Sequence, residues 1–148
     1  MDQETRTEPN VLQAVPFFSV ANIEESVRYY VDLDFVMTRK WIDQGKLRWC
    51  WLQIGNAALM LQEFRKEGHN PWVPAGKVGE GVSIYFQCSD ALAVYRAATR
   101  RGVKATRPTV GNGQWETFVS DPDGYKIVFV SPTDLPEDTE FSEREDPV

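Results

Sequence analysis

The chain has 148 residues and a net charge of −6, with 42% hydrophobic and 26% charged residues. That is the size of one domain, and no apolar run approaches the ~20 residues that a membrane helix needs. The charge is local. From Asp134 to Val148 seven acids face one base, so the other 133 residues are neutral and carry no basic stripe for nucleic acid.

Met1-Asp2-Gln3-Glu4 is acidic, unlike the basic and apolar start of a secretory signal. Cys50 and Cys88, the only cysteines, lie in apolar runs and read as buried free thiols in a reducing, cytoplasmic compartment. Residues 1–11 read as an N-terminal arm, and Leu12–Val20 as an apolar strand. Asn22-Ile-Glu-Glu25 is a capping box: Asn22 accepts from a first-turn amide and Glu25 reaches back. The helix it opens runs to about Leu33, with Ile23, Val27, Tyr30 and Val31 at core-facing spacing. Strands follow at Phe35–Trp41, Leu47–Ile54 and Ala57–Gln62, the last two joined by Gly55-Asn56. Residues 64–81, rich in Gly, Pro and charge, read as a linker. Val82–Cys88 is the next strand, and Asp90–Arg101 a helix stopped by Gly102. Val103–Arg107, Trp115–Ser120 and Tyr125–Val130 complete the strands. Residues 132–148 are too acidic and too poor in apolar side chains to pack, and read as a mobile tail.

This order repeats. Val20–Arg39 and Cys88–Arg107 align without a gap at an offset of 68 residues. Asn22 falls on Asp90, and Ile23, Ser26, Val27 and Tyr30 fall on Ala91, Val94, Tyr95 and Ala98. Only three of the twenty positions are identical, so the match lies in pattern. The expected fold is therefore α+β, two tandem βαβββ modules (12–63 and 82–131) in one domain at 12–131. Their sheets curve around a shared cavity.

Val20-Ala-Asn-Ile-Glu-Glu-Ser26, with Tyr29-Tyr30 and Leu33-Asp-Phe35, resembles the first module of the vicinal oxygen chelate superfamily. That group includes glyoxalase I, extradiol dioxygenases and bleomycin-resistance proteins. Phe118-Val-Ser-Asp121-Pro-Asp-Gly124, leading into Tyr125-Lys-Ile-Val-Phe129, resembles its late Asp-Pro-Asp-Gly turn and final strand. One departure is Asp34, where the family's helix-ending corner has glycine. The resemblance implies four inward strand positions for ligands to a divalent metal. Here they fall on Val15, Met60 (Leu59 after a one-residue slip), Ser83 and Val128, none a usual ligand. The one histidine, His69, lies in the linker, as a solvated loop residue or as a flap over the cavity.

Five tryptophans, Trp41, Trp49, Trp51, Trp72 and Trp115, are many for this length. Alternation puts Trp49 and Trp51 on one sheet face, with Arg48 and Cys50 on the other. Phe17 and Ser19 share the face of Val15, Tyr85 and Gln87 that of Ser83, and Gln62 that of Met60. With Trp41 and Trp115 these make an aromatic groove with a few polar handles, suited to planar or cationic organic molecules. Each tryptophan has a competing reading as core. Glu116, beside Trp115, is either a surface strand residue or a carboxylate facing a ligand.

The leading expectation is a binding protein of the bleomycin-resistance kind. It uses no metal and no other cofactor, has no catalytic residue, and holds a small molecule in a groove of a homodimer. The alternative is a metal-dependent isomerase, lyase or dioxygenase with a relocated site using Glu116, Glu63 or a partner's His69. A protein-binding module is the third.

Overall fold

The computed structural model describes residues 9–143. Ten elements follow one another: β1 (Phe17–Val20), α1 (Ile23–Val31), β2 (Val36–Asp43), β3 (Lys46–Ile54), β4 (Ala57–Glu63), β5 (Ser83–Gln87), α2 (Ala91–Arg100), β6 (Thr109–Gly111), β7 (Gln114–Ser120) and β8 (Lys126–Pro132). They form two four-stranded sheets, ordered β1-β4-β3-β2 and β5-β8-β7-β6. In each sheet the first strand pairs parallel to the last, and the other pairings are antiparallel. No helix among the described residues is long and apolar enough to cross a membrane.

The two halves repeat down to single hydrogen bonds. The Asn22 side chain accepts from the Glu25 amide at 3.0 Å, and Asp90 does the same for Ala93 at 3.1 Å. Such a cap is worth ~1 kcal/mol. Phe17 lies opposite Met60 and Tyr85 opposite Val128, so the offset of 68 residues holds through the parallel strands. The corner after α1 reports the same repeat. Asp34 takes φ 76°, beside 82° at its counterpart Gly102. Its carboxylate accepts from Arg101 at 2.7 Å, tying the ends of the two helices together.

Three stretches differ from expectation. The strand expected at Leu12–Val20 starts only at Phe17, and Val11 and Leu12 are exposed. The strand expected at Val103–Arg107 is absent, and β6 begins after Pro108 instead. Val103 is buried, with its amide bonded to the Ala98 carbonyl. Thr106 still bonds across to β7, but Pro108 lacks the amide that a continuous ladder needs. The tail expected to be mobile packs as far as Phe141. Val110 and Thr139 bond, Phe141 bonds the Pro108 carbonyl, and the Phe141 ring is buried edge-on to Tyr95 and Trp115. One aromatic and a set of backbone bonds hold this acidic segment down. Residues 1–8 of the expected arm and 144–148 of the tail lie outside the described residues.

One core spans both halves, with Tyr30, Phe35, Leu61, Ile127 and Phe129 among its members. Cys50 lies inside it, and Cys88 is half-buried. Burial pushes the Cys50 thiol up to about 12. Burial first, and then Asp121, pushes the Tyr29 phenol up to about 12. Both groups hold their protons more tightly folded than unfolded, so stability falls as pH rises past the unfolded values. Urea denaturation should give stability that holds up to about pH 8.5, where an unfolded thiol ionises, and then declines toward about pH 12. In the native protein at pH 8, thiol reagents should reach Cys50 only as fast as the chain opens.

Candidate functional site

The face of the first sheet turned away from α1 carries two rows of side chains, fixed by register. Across β1, β4, β3 and β2, one row reads Ser19, Gln62, Trp49, Trp41. The next reads Phe17, Met60, Trp51, Arg39. Alternation explains the sorting, since Cys50 between Trp49 and Trp51, and Leu52 just after them, are buried toward α1. Phe17, Trp41, Trp49, Met60 and Gln62 line a groove of about 550 Å³, which His69 and Asn70 edge from the loop after β4.

That loop is held in place by the site itself. Gln62 is buried, and its Nε2 donates to the Asn70 carbonyl at 3.0 Å and the His69 carbonyl at 3.3 Å. Arg65 and Trp72 exchange backbone bonds of 3.0 and 2.6 Å, and the Trp72 ring meets Phe64 edge-on. Gly68 takes φ 98°, and a Cβ there would strike the Arg65 guanidinium. His69 thus sits at the mouth of the groove.

Trp51 is engaged differently. Its Nε1 donates to Gln53 at 2.7 Å, and the Arg39 guanidinium lies 4.1 Å from its ring centre. Arg39 was missed in the sequence because strand registry, not spacing, brings it over Trp51. Ser19 stands beside Gln62 in register but outside the groove lining.

The remaining expected residues are on the second sheet. Ser83, Tyr85, Gln87 and Glu116 share its outward face, with Phe118 and Val128. Tyr85 and Phe118 are 49% and 40% exposed, an apolar surface facing solvent. Gln87 accepts from Gln114 at 3.2 Å, and Glu116 packs against Gly111. Trp115 points the other way. It is buried with Val110, Ala91 and Phe141, so it belongs to the core and not to a groove.

A metal does not fit the four strand positions. Met60 lines the groove, Ser83 is exposed on the other sheet, and Val15 and Val128 offer no donor atom. Glu63 is committed elsewhere, accepting from the Ile23 amide at 2.9 Å and from Lys46 at 3.1 Å. No three His, Cys, Asp or Glu side chains gather among the described residues.

The Glyoxalase/Bleomycin resistance protein/Dioxygenase superfamily model matches residues 13–129. The chain belongs to that superfamily. No protein of curated function matches the sequence. Solved members with this fold include a bleomycin-binding protein complexed with bleomycin, 18% identical with a TM-score of 0.62 over 82% of this chain and 98% of that one. TnmS3, an antibiotic binding protein from Streptomyces sp. CB03234, is 18% identical with a TM-score of 0.64 over 86% and 100%. A lactoylglutathione lyase from Agrobacterium tumefaciens is 17% identical with a TM-score of 0.60 over 84% and 96%. At such identities the likeness is one of superfamily fold, which binding proteins and enzymes share.

Proposed function

We propose that this superfamily member captures a planar or cationic organic molecule, antibiotics among them, stoichiometrically and without metal. The observation that carries this reading is the groove: Trp41 and Trp49 lie side by side next to Gln62, and Met60, at a position where a chelating relative would carry a donor, lines it with them. Flat indole faces stack on planar rings and attract cations, and Met60 adapts to irregular ligands. The antibiotic-binding proteins that share the fold support it. The exposed Tyr85 and Phe118 support a homodimer in which the second sheet of one copy closes the groove of the other. Ser83, Gln87 and Glu116 then supply the polar edge. Two unpaired cysteines suit a reducing cytoplasm.

Titration with bleomycin and with proflavine, read by tryptophan fluorescence and light scattering, tests this. Saturation at one ligand per groove is expected, on a dimer, with the ligand mass unchanged and EDTA without effect. Ligand conversion, or binding that EDTA abolishes, overturns the metal-free binding reading. A ligand-bound monomer overturns the pairing.

A further inference from the structure

A cavity of about 920 Å³ lies away from the groove, between α2, the edge of β5 and the β3–β4 hairpin. The internal repeat explains why it is open. In the first half the equivalent place is full. The Tyr125 ring stacks on Phe18 at 4.1 Å and 1°, and its hydroxyl donates to the Ser19 carbonyl at 2.8 Å. Asp123 accepts from the Ala21 amide at 2.9 Å, and Asp121 from the Tyr30 hydroxyl at 2.7 Å.

Shifted by the repeat, Phe18, Ser19 and Ala21 become Phe86, Gln87 and Ser89. Tyr29, Tyr30 and Tyr125 become Ala97, Ala98 and Ala57. All six of these counterparts line the cavity. Three tyrosines have become three alanines, while the surfaces that received a tyrosine remain. Phe86 keeps its ring at the wall. The Cys88 amide donates to the Val130 carbonyl, so residues 84, 86 and 88 direct their backbone bonds into the sheet. By parallel-strand alternation the Gln87 carbonyl points out to the free edge, as the Ser19 carbonyl does.

We propose that this cavity is a second ligand site, and that it takes a phenolic ring carried on an apolar body. The ring lies on Phe86 and its hydroxyl donates to the Gln87 carbonyl, as Tyr125 does on the other side. Ile84, Val94 and Phe129 give the apolar body its walls, and the Arg101–Asp34 pair edges the cavity.

The test uses full-length, isotope-labelled protein with 4-butylphenol and 4-butylanisole as probes. Saturable amide shifts are expected around Ser89 and Ala97, with the anisole about tenfold weaker because it has no proton to donate. Ala97→Phe should weaken the phenol at least tenfold, and Trp49→Ala should leave it unchanged. Ala57→Tyr supplies the missing ring within the chain and should abolish binding. Thermal melts check that both filling variants fold, and either alone is sufficient. Equal binding of phenol and anisole overturns the proposal. So do shifts centred on Trp41 and Trp49, indifference to both filling variants, or no saturation at millimolar probe.

Discussion

Replacing Asp121 by alanine is expected to destabilise the fold by about 4 kcal/mol, a large part of the 5–15 kcal/mol typical of a domain. The carboxylate is buried, and its Oδ1 accepts from three successive turn amides, Asp123 at 3.0 Å, Gly124 at 2.9 Å and Tyr125 at 2.8 Å. Its Oδ2 takes the Tyr30 hydroxyl at 2.7 Å. One side chain therefore shapes the turn and fastens it to α1, and it places Tyr125 against Phe18. Alanine removes all four bonds and leaves the Tyr30 hydroxyl buried without a partner, which itself costs ~1–3 kcal/mol. At this chain length the melting temperature should fall by about 12 °C. Asp121→Asn keeps an acceptor and should cost only about 1–2 kcal/mol. Adding Tyr30→Phe to Asp121→Ala should recover about 1 kcal/mol, since the orphaned hydroxyl goes with it. A loss under about 1 kcal/mol for Asp121→Ala would mean the turn does not hold the halves together.

That turn shows where the sequence was readable and where it was not. The helices, their caps and the parallel strands repeat with one offset, so pattern alone placed them. Between β3 and β7 the offset drops by one residue: Trp51 and Phe118 lie opposite Met60 and Val128, the same pair of counterparts. The β7–β8 turn is one residue longer than the Gly55-Asn56 hairpin, and one residue reverses which face a side chain takes. Trp115 is thus the counterpart of Arg48, not of a groove tryptophan, and period-two reading within its own strand cannot reveal that. The tail failed on composition, because a lone Phe141 in acidic surroundings finds a ready slot beside Trp115. The groove members Phe17, Trp49, Met60 and Gln62 were legible because β1, β3 and β4 keep regular alternation. The cavity near Ala97 was latent in the aligned copies, yet only three-dimensional packing brings Ala57 beside it.

Trp49→Ala is expected to weaken ligand binding about 30-fold, the ~2 kcal/mol of a well-placed aromatic anchor. Trp49 sits centrally, flanked in register by Gln62 and Trp41, so its loss opens the floor of the groove. Its half-exposed position makes the stability cost small, about 1 kcal/mol. Trp51→Ala should weaken binding only about threefold, because Arg39 already covers the ring and Gln53 holds its N–H. Trp115→Ala should do the opposite of Trp49→Ala. It empties a core position beside Phe141 and should cost about 3–5 kcal/mol of stability while leaving affinity intact. Measured by ligand titration and urea denaturation side by side, the three variants separate a binding surface from a packed core. If Trp49→Ala lost stability and kept affinity, the indole would be structural and the ligand would lie elsewhere. If Trp115→Ala lost affinity at unchanged stability, the assignment of the two sheet faces would be reversed.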